Sequence, residues 1–188
     1  MPQTKILVDT CSYFRLAQNI HPLLAVAFGK AGYTLYAHEA LTKEFERTAR
    51  LKTKFDWFIQ RPYVENRSRP LLIGRKESIG INTTFEFMWA HVLAENLNPS
   101  PTDVRILATA SELSLRMITD DQDLLALAKD YGVHTETSLE LMRLMLDEKH
   151  IDIEKARQVV SQWIYDRDTP AHFVTDYRRL FSESPPKE

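Results

Sequence analysis

Four acidic residues far apart in the sequence are candidates for a single functional pocket. Asp9 follows an apolar run over residues 5–8, and Asp121 comes shortly after a second run over residues 116–118. Such runs suit strands buried in a parallel sheet, where ligands bind at the carboxyl ends of the strands. Glu44 and Asp103 lie in early turns of predicted helices near the same edge. We therefore predict that Asp9, Glu44, Asp103 and Asp121 converge there.

Converging carboxylates require a cation. Two unit charges about 4 Å apart repel by roughly 4 kcal/mol at an effective dielectric of 20. Hard Mg²⁺ or Mn²⁺ suits carboxylate oxygens and water, whereas zinc usually recruits histidine or cysteine. The residues His38 and Glu39 begin like a zinc-protease helix, but Thr42 stands where the second histidine would be. The sequence therefore predicts Mg²⁺ or Mn²⁺.

Each of these acids also has a simpler explanation. Asp and Glu favour helix N-termini, where they accept hydrogen bonds from free amides and complement the helix dipole. Asp103, for example, occupies the acidic position of a capping box that begins at Ser100. The metal-site hypothesis rests on the shared edge of the sheet rather than on any one residue.

The composition limits the classes of protein to consider. The chain has 188 residues, of which 44% are apolar and 27% charged, as in ordinary globular proteins. The formal net charge of -2 gives no overall attraction to nucleic acid or anionic lipid, so any such binding must be local. A single cysteine, no apolar core of a signal peptide and no apolar stretch of about 20 residues lead us to expect a cytoplasmic protein without membrane contact.

The expected architecture is an α/β fold with extra helices. Strands are predicted over residues 5–8, 34–37, 116–118 and 133–135, and helices over residues 10–31 (interrupted near Pro22), 38–50, 82–97, 121–131, 138–148, 153–166 and 170–181. A further helix is predicted to begin at Pro101, after Ser100. We expect one domain over residues 1–150, with a helical insertion at about 48–98, and a C-terminal helical extension over 151–188. The apolar stripes after residue 137 predict packing on the sheet or on a second subunit.

The insertion has a local excess of positive charge. Residues 47–76 contain nine basic and two acidic residues, an excess of +7, and this segment includes Arg67 and Arg69. Contacts between basic side chains and phosphates supply much of the affinity of proteins for nucleic acid. A run of basic residues can equally be a surface that faces only solvent. The interleaved aromatics are Phe55, Trp57, Phe58 and Tyr63. They could stack on unpaired bases, but we favour a place in the core.

Four short motifs occur in a recognisable order. They are Ile6-Leu-Val-Asp9-Thr10, Leu41-Thr-Lys-Glu44-Phe45, Asp103-Val-Arg-Ile-Leu-Ala-Thr-Ala110, and Ile118-Thr119-Asp120-Asp121-Gln122-Asp123-Leu124. In this order they resemble the PIN-domain nuclease family, notably the toxin ribonucleases of bacterial toxin-antitoxin pairs. The resemblance covers about residues 4–47 and 99–136. Cys11 departs from it, because Ser or Asn is common two residues after the first Asp.

The resemblance implies a PIN-like three-layer fold with a central, mainly parallel sheet of four to five strands. It further implies hydrolysis of phosphodiester bonds with Mg²⁺ or Mn²⁺, and RNA is favoured over DNA as substrate. The implied catalytic residues are Asp9, Glu44, Asp103 and Asp121; the implied metal ligands are Asp9, Asp103, Asp121 and Asp123; the expected substrate-binding residues are Thr10, Thr119, Arg67 and Arg69.

The sequence suggests two possible partners and leaves several alternative functions open. An inhibitory antitoxin protein is the partner that the resemblance suggests, and a homodimer is compatible with the apolar C-terminal helices. The same acids would serve a nuclease that acts on DNA or in RNA processing. A noncatalytic module that binds nucleic acid or protein would keep the fold without the chemistry. A phosphatase with an aspartyl nucleophile is disfavoured, since Cys11 stands where such enzymes have a second Asp.

Overall fold

A five-stranded sheet forms the centre of the protein in a computed structural model that describes residues 4–187. The strands are β1 (Thr4–Val8), β2 (Ala27–Phe28), β3 (Tyr33–Ala37), β4 (Arg116–Ile118) and β5 (Thr135–Glu136). Their order across the sheet is β2-β3-β1-β4-β5, and only the pairing of β2 with β3 is antiparallel. The predicted α/β class with a mainly parallel sheet is therefore confirmed.

Ten α-helices and one short 3-10 helix (Asp56–Ile59) surround the sheet in the described residues. The α-helices are α1 (Thr10–Ala17), α2 (Ala40–Arg47), α3 (Ala49–Lys54), α4 (Arg61–Arg67), α5 (Arg75–Ala94), α6 (Pro101–Glu112), α7 (Gln122–Asp130), α8 (Ser138–Asp147), α9 (Ile153–Tyr165) and α10 (Phe173–Phe181). None of the helices within residues 4–187 is both long enough and apolar enough to cross a membrane.

The core has two halves because side chains alternate across β1. Ile6 and Val8 belong to one apolar cluster, with residues of α1, α8, α9 and α10. Leu7 belongs to the other, with residues of α5, α6 and α7. Successive residues of a strand point to opposite faces, so these clusters cover the two faces of the sheet. The result is a three-layer arrangement, and the predicted packing of the C-terminal helices on the sheet is confirmed.

The segment after α1 is not the long helix that the pattern predicted. The helix ends at Ala17, and residues 27–28 form β2, which pairs with β3. Proline lacks an amide hydrogen and disfavours helical backbone in the residue before it, so Pro22 prevents continuation. Gly32, with φ 64°, lies in the turn before β3.

The insertion contains more helix than its sequence indicated. The predicted helix 38–50 is divided into α2 and α3 at Thr48, whose backbone is extended. The predicted helix 82–97 begins earlier, at Arg75, where the Glu77 carboxylate accepts a hydrogen bond from the Gly74 amide. Gly80 lies within this helix, beside the carboxylate of Glu112 on α6, and does not interrupt it.

Two further boundaries differ near the C-terminus. The last strand occupies Thr135–Glu136 rather than residues 133–135. Helix α10 does not begin at Pro170; it begins at Phe173, after His172 in a left-handed conformation. The proposed division at residue 150 remains a prediction, and the ends of those ranges, residues 1–3 and 188, lie outside the described residues.

Candidate active site

Asp9 lies at the carboxyl end of the central strand and is held by hydrogen bonds on both oxygens. Its side chain caps α1, because Oδ1 accepts a hydrogen bond of 2.6 Å from the Ser12 amide. Oδ2 accepts a hydrogen bond of 2.5 Å from the Thr119 hydroxyl. Only 3% of Asp9 is exposed. Burial raises the pKa of its carboxyl to about 6, and the hydrogen bonds from Thr119 and Ser12 only partly oppose this effect.

Thr119 connects Asp9 to Asp121. Strands β1 and β4 are parallel neighbours, with Val8 opposite Ile118, so the residues that follow them meet at one edge. The Thr119 oxygen also accepts a hydrogen bond of 3.2 Å from the Asp121 amide. Asp121 is exposed and caps α7 through Oδ1, which accepts a hydrogen bond of 2.9 Å from the Leu124 amide. Both predicted strand-end acids therefore occupy this edge.

Glu44 on α2 lines a cavity together with Thr10 and Cys11, and the charges of Glu44 and of Asp103 on α6 both act on the Cys11 thiol. Desolvation and the charge of Asp9 raise the pKa of Cys11 to about 12, and the charges of Glu44 and Asp103 add to the effect. Three of the four predicted acids thus lie within electrostatic range of one sulfur atom. Cys11 itself is exposed.

The oxygen donors at this edge, which are carboxylates and hydroxyls, fit a hard divalent cation, whereas the thiol of Cys11 is a soft ligand that such cations do not prefer. Asp103 uses Oδ2 in the predicted capping box with Ser100, and Asp121 uses Oδ1 on α7. Elsewhere in the described chain no hydrogen-bond donor contacts the second oxygen of either residue. Within residues 4–187, however, no three Asp, Glu, His or Cys side chains lie close enough together to hold one metal ion.

Asp120 is a buried ionic residue that the sequence analysis missed. Its carboxylate contacts the guanidinium of Arg15 at 2.8 Å and accepts hydrogen bonds from the amide and hydroxyl of Ser138. Arg15 also pairs with Asp168 at 2.9 Å, and Lys54 contacts the second oxygen of Asp168 at 2.6 Å. Although burial would raise the pKa of Asp168, the two cations lower it. The only sequence signal was the pair of adjacent acids, Asp120 and Asp121.

The remaining predicted site residues have different surroundings. Thr10 is buried beside Asp9, and its hydroxyl has no hydrogen-bond partner in the described structure. Asp123 is exposed in the first turn of α7. Arg69 is exposed, whereas Arg67 lies over the Phe58 ring, 3.4 Å from its centroid, and donates a hydrogen bond to the Phe58 carbonyl. A substrate-binding role of these residues remains a prediction.

The aromatic side chains of the insertion are mainly core. Phe55, Trp57 and Phe58 are buried in the cluster that includes Phe14 of α1, and the Phe14 and Phe55 rings stack with their centroids 4.4 Å apart. Tyr63 is half-buried and packs against the same cluster. The preference for core over base stacking is confirmed. These side chains pack the basic insertion against α1, the helix that Asp9 caps.

Comparison with known proteins assigns neither a family nor a function to this chain. No protein-family model matches the chain, and no curated protein matches it at a significant level. The crystal structure of FitAcB from Neisseria gonorrhoeae is similar to 71% of this chain and 97% of its own, with a TM-score of 0.44 and 14% sequence identity. A match at that level is too weak to assign a family or a function. The functional argument therefore rests on the residues of the site.

Proposed function

We propose that the protein is a Mg²⁺- or Mn²⁺-dependent ribonuclease of PIN type. The observation that carries the proposal is Asp9, a buried carboxylate at the carboxyl edge of the sheet that is linked to Asp121 through the Thr119 hydroxyl. We expect Glu44 and Asp103, whose charges act on the neighbouring thiol of Cys11, to complete the site. Desolvation disfavours a charge on Asp9, and a bound cation would offset that cost. The expected metal ligands are Asp9, Asp103 and Asp121, with Asp123 as an outer contributor.

The residues of the chain have separate tasks in this proposal. A divalent metal would act as a Lewis acid on the phosphate and make water more acidic. The Ser12 amide and the Thr119 hydroxyl hold Asp9 in one orientation. Glu44 is half-exposed, and we expect it to bind the metal or to orient the attacking water. The Arg15–Asp120 pair fixes the loop between β4 and α7, and with it the backbone of Thr119 and Asp121.

The proposal includes a substrate and a biological role. RNA is preferred over DNA, and the basic insertion supplies phosphate contacts near an acidic centre. The chain would act in the cytoplasm as the toxin of a toxin-antitoxin pair, with an inhibitory protein partner. Induced expression should then arrest bacterial growth, and Asp9→Asn should abolish the arrest. Equal arrest by both proteins would contradict a toxin role that depends on this site.

The decisive experiment is a cleavage assay with purified protein. Labelled RNA and DNA of the same sequence are incubated with Mn²⁺, with Mg²⁺ or with EDTA. Wild-type protein should cleave RNA only with metal, and Asp9→Asn should not cleave. Asp130→Asn is a matched control, because Asp130 is an exposed acid at the other end of α7. Cleavage that survives Asp9→Asn would refute the proposed site.

The same assay separates the alternatives. Preferred cleavage of DNA would identify a DNA nuclease with the same four acids. RNA binding without cleavage under every metal condition would identify a noncatalytic module. Metal binding is followed independently through thermal unfolding, where Mn²⁺ should raise the Tm of the wild type and of Asp130→Asn but not that of Asp9→Asn.

A further inference from the structure

The C-terminal extension contacts α1 through Asp168, which lies in the turn after α9. Oδ1 of Asp168 accepts hydrogen bonds from Nη2 of Arg15 at 2.9 Å and from its Nε at 3.3 Å, and the Asp168 carbonyl accepts one from Nε at 3.2 Å. Trp163 of α9 holds both residues, because its carbonyl accepts a hydrogen bond from the Asp168 amide and its indole donates one to the Arg15 carbonyl. Asp168 therefore binds one side of the Arg15 guanidinium.

The third nitrogen of that guanidinium faces Asp120. Nη1 of Arg15 donates a hydrogen bond to Oδ2 of Asp120 at 2.8 Å, and Ser138 binds both oxygens of the same carboxylate. Asp120 is the middle residue of the loop between β4 and α7, which also carries the Thr119 hydroxyl of the proposed site. Because a guanidinium is planar and rigid, Asp168 on one side determines where the other side points. The position of Asp168 is thus transmitted to this loop.

Asp168 also neutralises cations beside the acidic edge. The cavity that Glu44 and Cys11 line is lined as well by Arg15, Lys54 and Asp168. Lys54 contacts the second oxygen of Asp168 at 2.6 Å. Burial raises the pKa of the Cys11 thiol, and the positive charge of Arg15 partly opposes this effect, so Arg15 acts on the same thiol as the acids do. Without the Asp168 carboxylate, two cations would be free to approach Glu44 and to compete with a divalent metal.

We propose that Asp168 is a positioning residue of the proposed active site. It holds the Arg15 guanidinium against Asp120, keeps Asp121 at the carboxyl edge of the sheet, and keeps two cations away from the acids. Residues that orient the ligands of a metal typically contribute about 10- to 100-fold to its affinity or to activity. This inference rests on the proposed nuclease function and adds that the C-terminal extension takes part in it.

The affinity for Mn²⁺ tests this role. Isothermal titration calorimetry gives the Kd of Mn²⁺ for the wild type and for Asp168→Asn, which removes the charge but keeps the shape of the side chain. Asp166→Asn is the matched control, because Asp166 lies in the same turn but accepts a hydrogen bond from Gln162. We expect about tenfold weaker binding for Asp168→Asn and less than about twofold for Asp166→Asn. Asp168→Glu restores the carboxylate and should recover most of the affinity.

Amide hydrogen exchange, followed by NMR without metal, shows whether the effect reaches the acidic edge. The reporter is the amide of the buried Ser138, which donates to Oδ1 of Asp120. It should exchange faster in Asp168→Asn than in the wild type. The Lys155 amide, at the start of α9, donates to the Asp152 carboxylate and should not change. Faster exchange at Lys155 as well would mean that Asp168 only stabilises the extension, and this would overturn the inference.

The remaining outcomes distinguish the inference from the proposed function. Equal Mn²⁺ affinity of Asp168→Asn and Asp166→Asn, or unchanged exchange of the Ser138 amide, would overturn the inference. The proposed function would still stand in that case if the wild type binds Mn²⁺ and cleaves RNA. If the wild type neither binds Mn²⁺ nor cleaves RNA, the proposed function fails and the inference fails with it.

Discussion

Thr119 donates its hydroxyl hydrogen to the carboxylate of Asp9 across 2.5 Å, although the two residues are 110 positions apart in the sequence. The same oxygen accepts the hydrogen of the Asp121 amide. One hydroxyl group thus fixes the relative positions of the two acids that follow the central strands β1 and β4. Its contribution to the site can be measured without any substrate.

Substitution of Thr119 by valine should destabilise the fold and alter Asp9. Thr119→Val keeps the shape but leaves the buried Asp9 oxygen and the Asp121 amide without this partner. We expect the free energy of unfolding to fall by about 1–3 kcal/mol and the pKa of Asp9 to rise further. Urea denaturation at several pH values measures the first effect, and NMR titration of the Asp9 carboxyl carbon the second. Thr42→Val, at an exposed position of α2, should change neither.

Asp9 itself should make the protein less stable at neutral pH. Its folded-state pKa of about 6 lies above the ordinary 3.8, so the folded state binds the proton more tightly than the unfolded chain. The contribution of Asp9 to stability is therefore lost as the pH rises from about 4 through 6. Each pKa unit corresponds to 1.36 kcal/mol, so Asp9→Asn should stabilise the protein by about 1–3 kcal/mol at pH 7.5.

At pH 4 the same substitution should stabilise much less, because most of the Asp9 carboxyl is then protonated in the folded state. Asparagine can still accept a hydrogen bond from the Ser12 amide and donate one to the Thr119 oxygen, so the local packing is kept. Chemical denaturation between pH 4 and 8 compares the two proteins. A gain in stability that does not grow with pH would show that burial of the charge is not its cause.

The elements that place Asp9 and Asp121 were predictable because their signals are local. The unbroken apolar runs before them indicated buried parallel strands, and this fixed the edge of the sheet at which both residues lie. Capping preferences correctly placed Asp103 at the start of α6. Such preferences depend on a few neighbouring residues, so a single sequence carries them.

The ionic contacts behind the site could not be predicted, because they join segments that are distant in the sequence. Arg15 contacts Asp120 and Asp168, which lie 105 and 153 positions away. Arg67 looked like a residue for binding phosphate, yet its guanidinium packs on Phe58. Helix α5 begins at Arg75, before the predicted residue 82, and continues through Gly80, a residue of low helix propensity.

Loss of the Asp120 charge should lower the free energy of unfolding more than loss of the charge of its exposed neighbour Asp123. Asp120→Asn removes the charge that faces Arg15 at 2.8 Å in a buried position, and Asp168 then remains as the only carboxylate paired with Arg15. Loss of one partner of a buried ion pair costs about 3–5 kcal/mol, and we expect a loss near the lower end because the Asn side chain can still bind Ser138.

The control for this substitution is Asp123→Asn, which changes the same functional group in the first turn of α7. Asp123 is exposed and its charge lies near the helix N-terminus, so its loss should cost less than about 1 kcal/mol. Thermal and urea unfolding of both variants at pH 7 give the comparison. Equal destabilisation would mean that the Arg15–Asp120 pair contributes no more than a solvent-exposed charge.

Substitution of Arg67 and of Arg69 by alanine should distinguish an arginine that stabilises the fold from one that can bind RNA. The Arg67 guanidinium donates to the Phe58 carbonyl at 2.8 Å and to the Tyr13 hydroxyl at 3.4 Å, and it lies over the Phe58 ring. Arg67→Ala should therefore lower the free energy of unfolding by about 1–3 kcal/mol. Arg69 is exposed, so Arg69→Ala should alter stability by no more than about 0.5 kcal/mol.

RNA affinity completes this comparison. If the exposed face of the insertion binds phosphate, Arg69→Ala should weaken RNA binding and make its dependence on salt less steep, because one fewer counterion is released on binding. Anisotropy titrations at several salt concentrations measure both quantities. An unchanged affinity and salt slope would identify the basic run as a solvated surface around Arg69. If Arg67→Ala left the free energy of unfolding unchanged but weakened RNA binding, Arg67 would act in binding instead. In the wild-type protein its guanidinium would then have to leave the Phe58 ring when RNA binds.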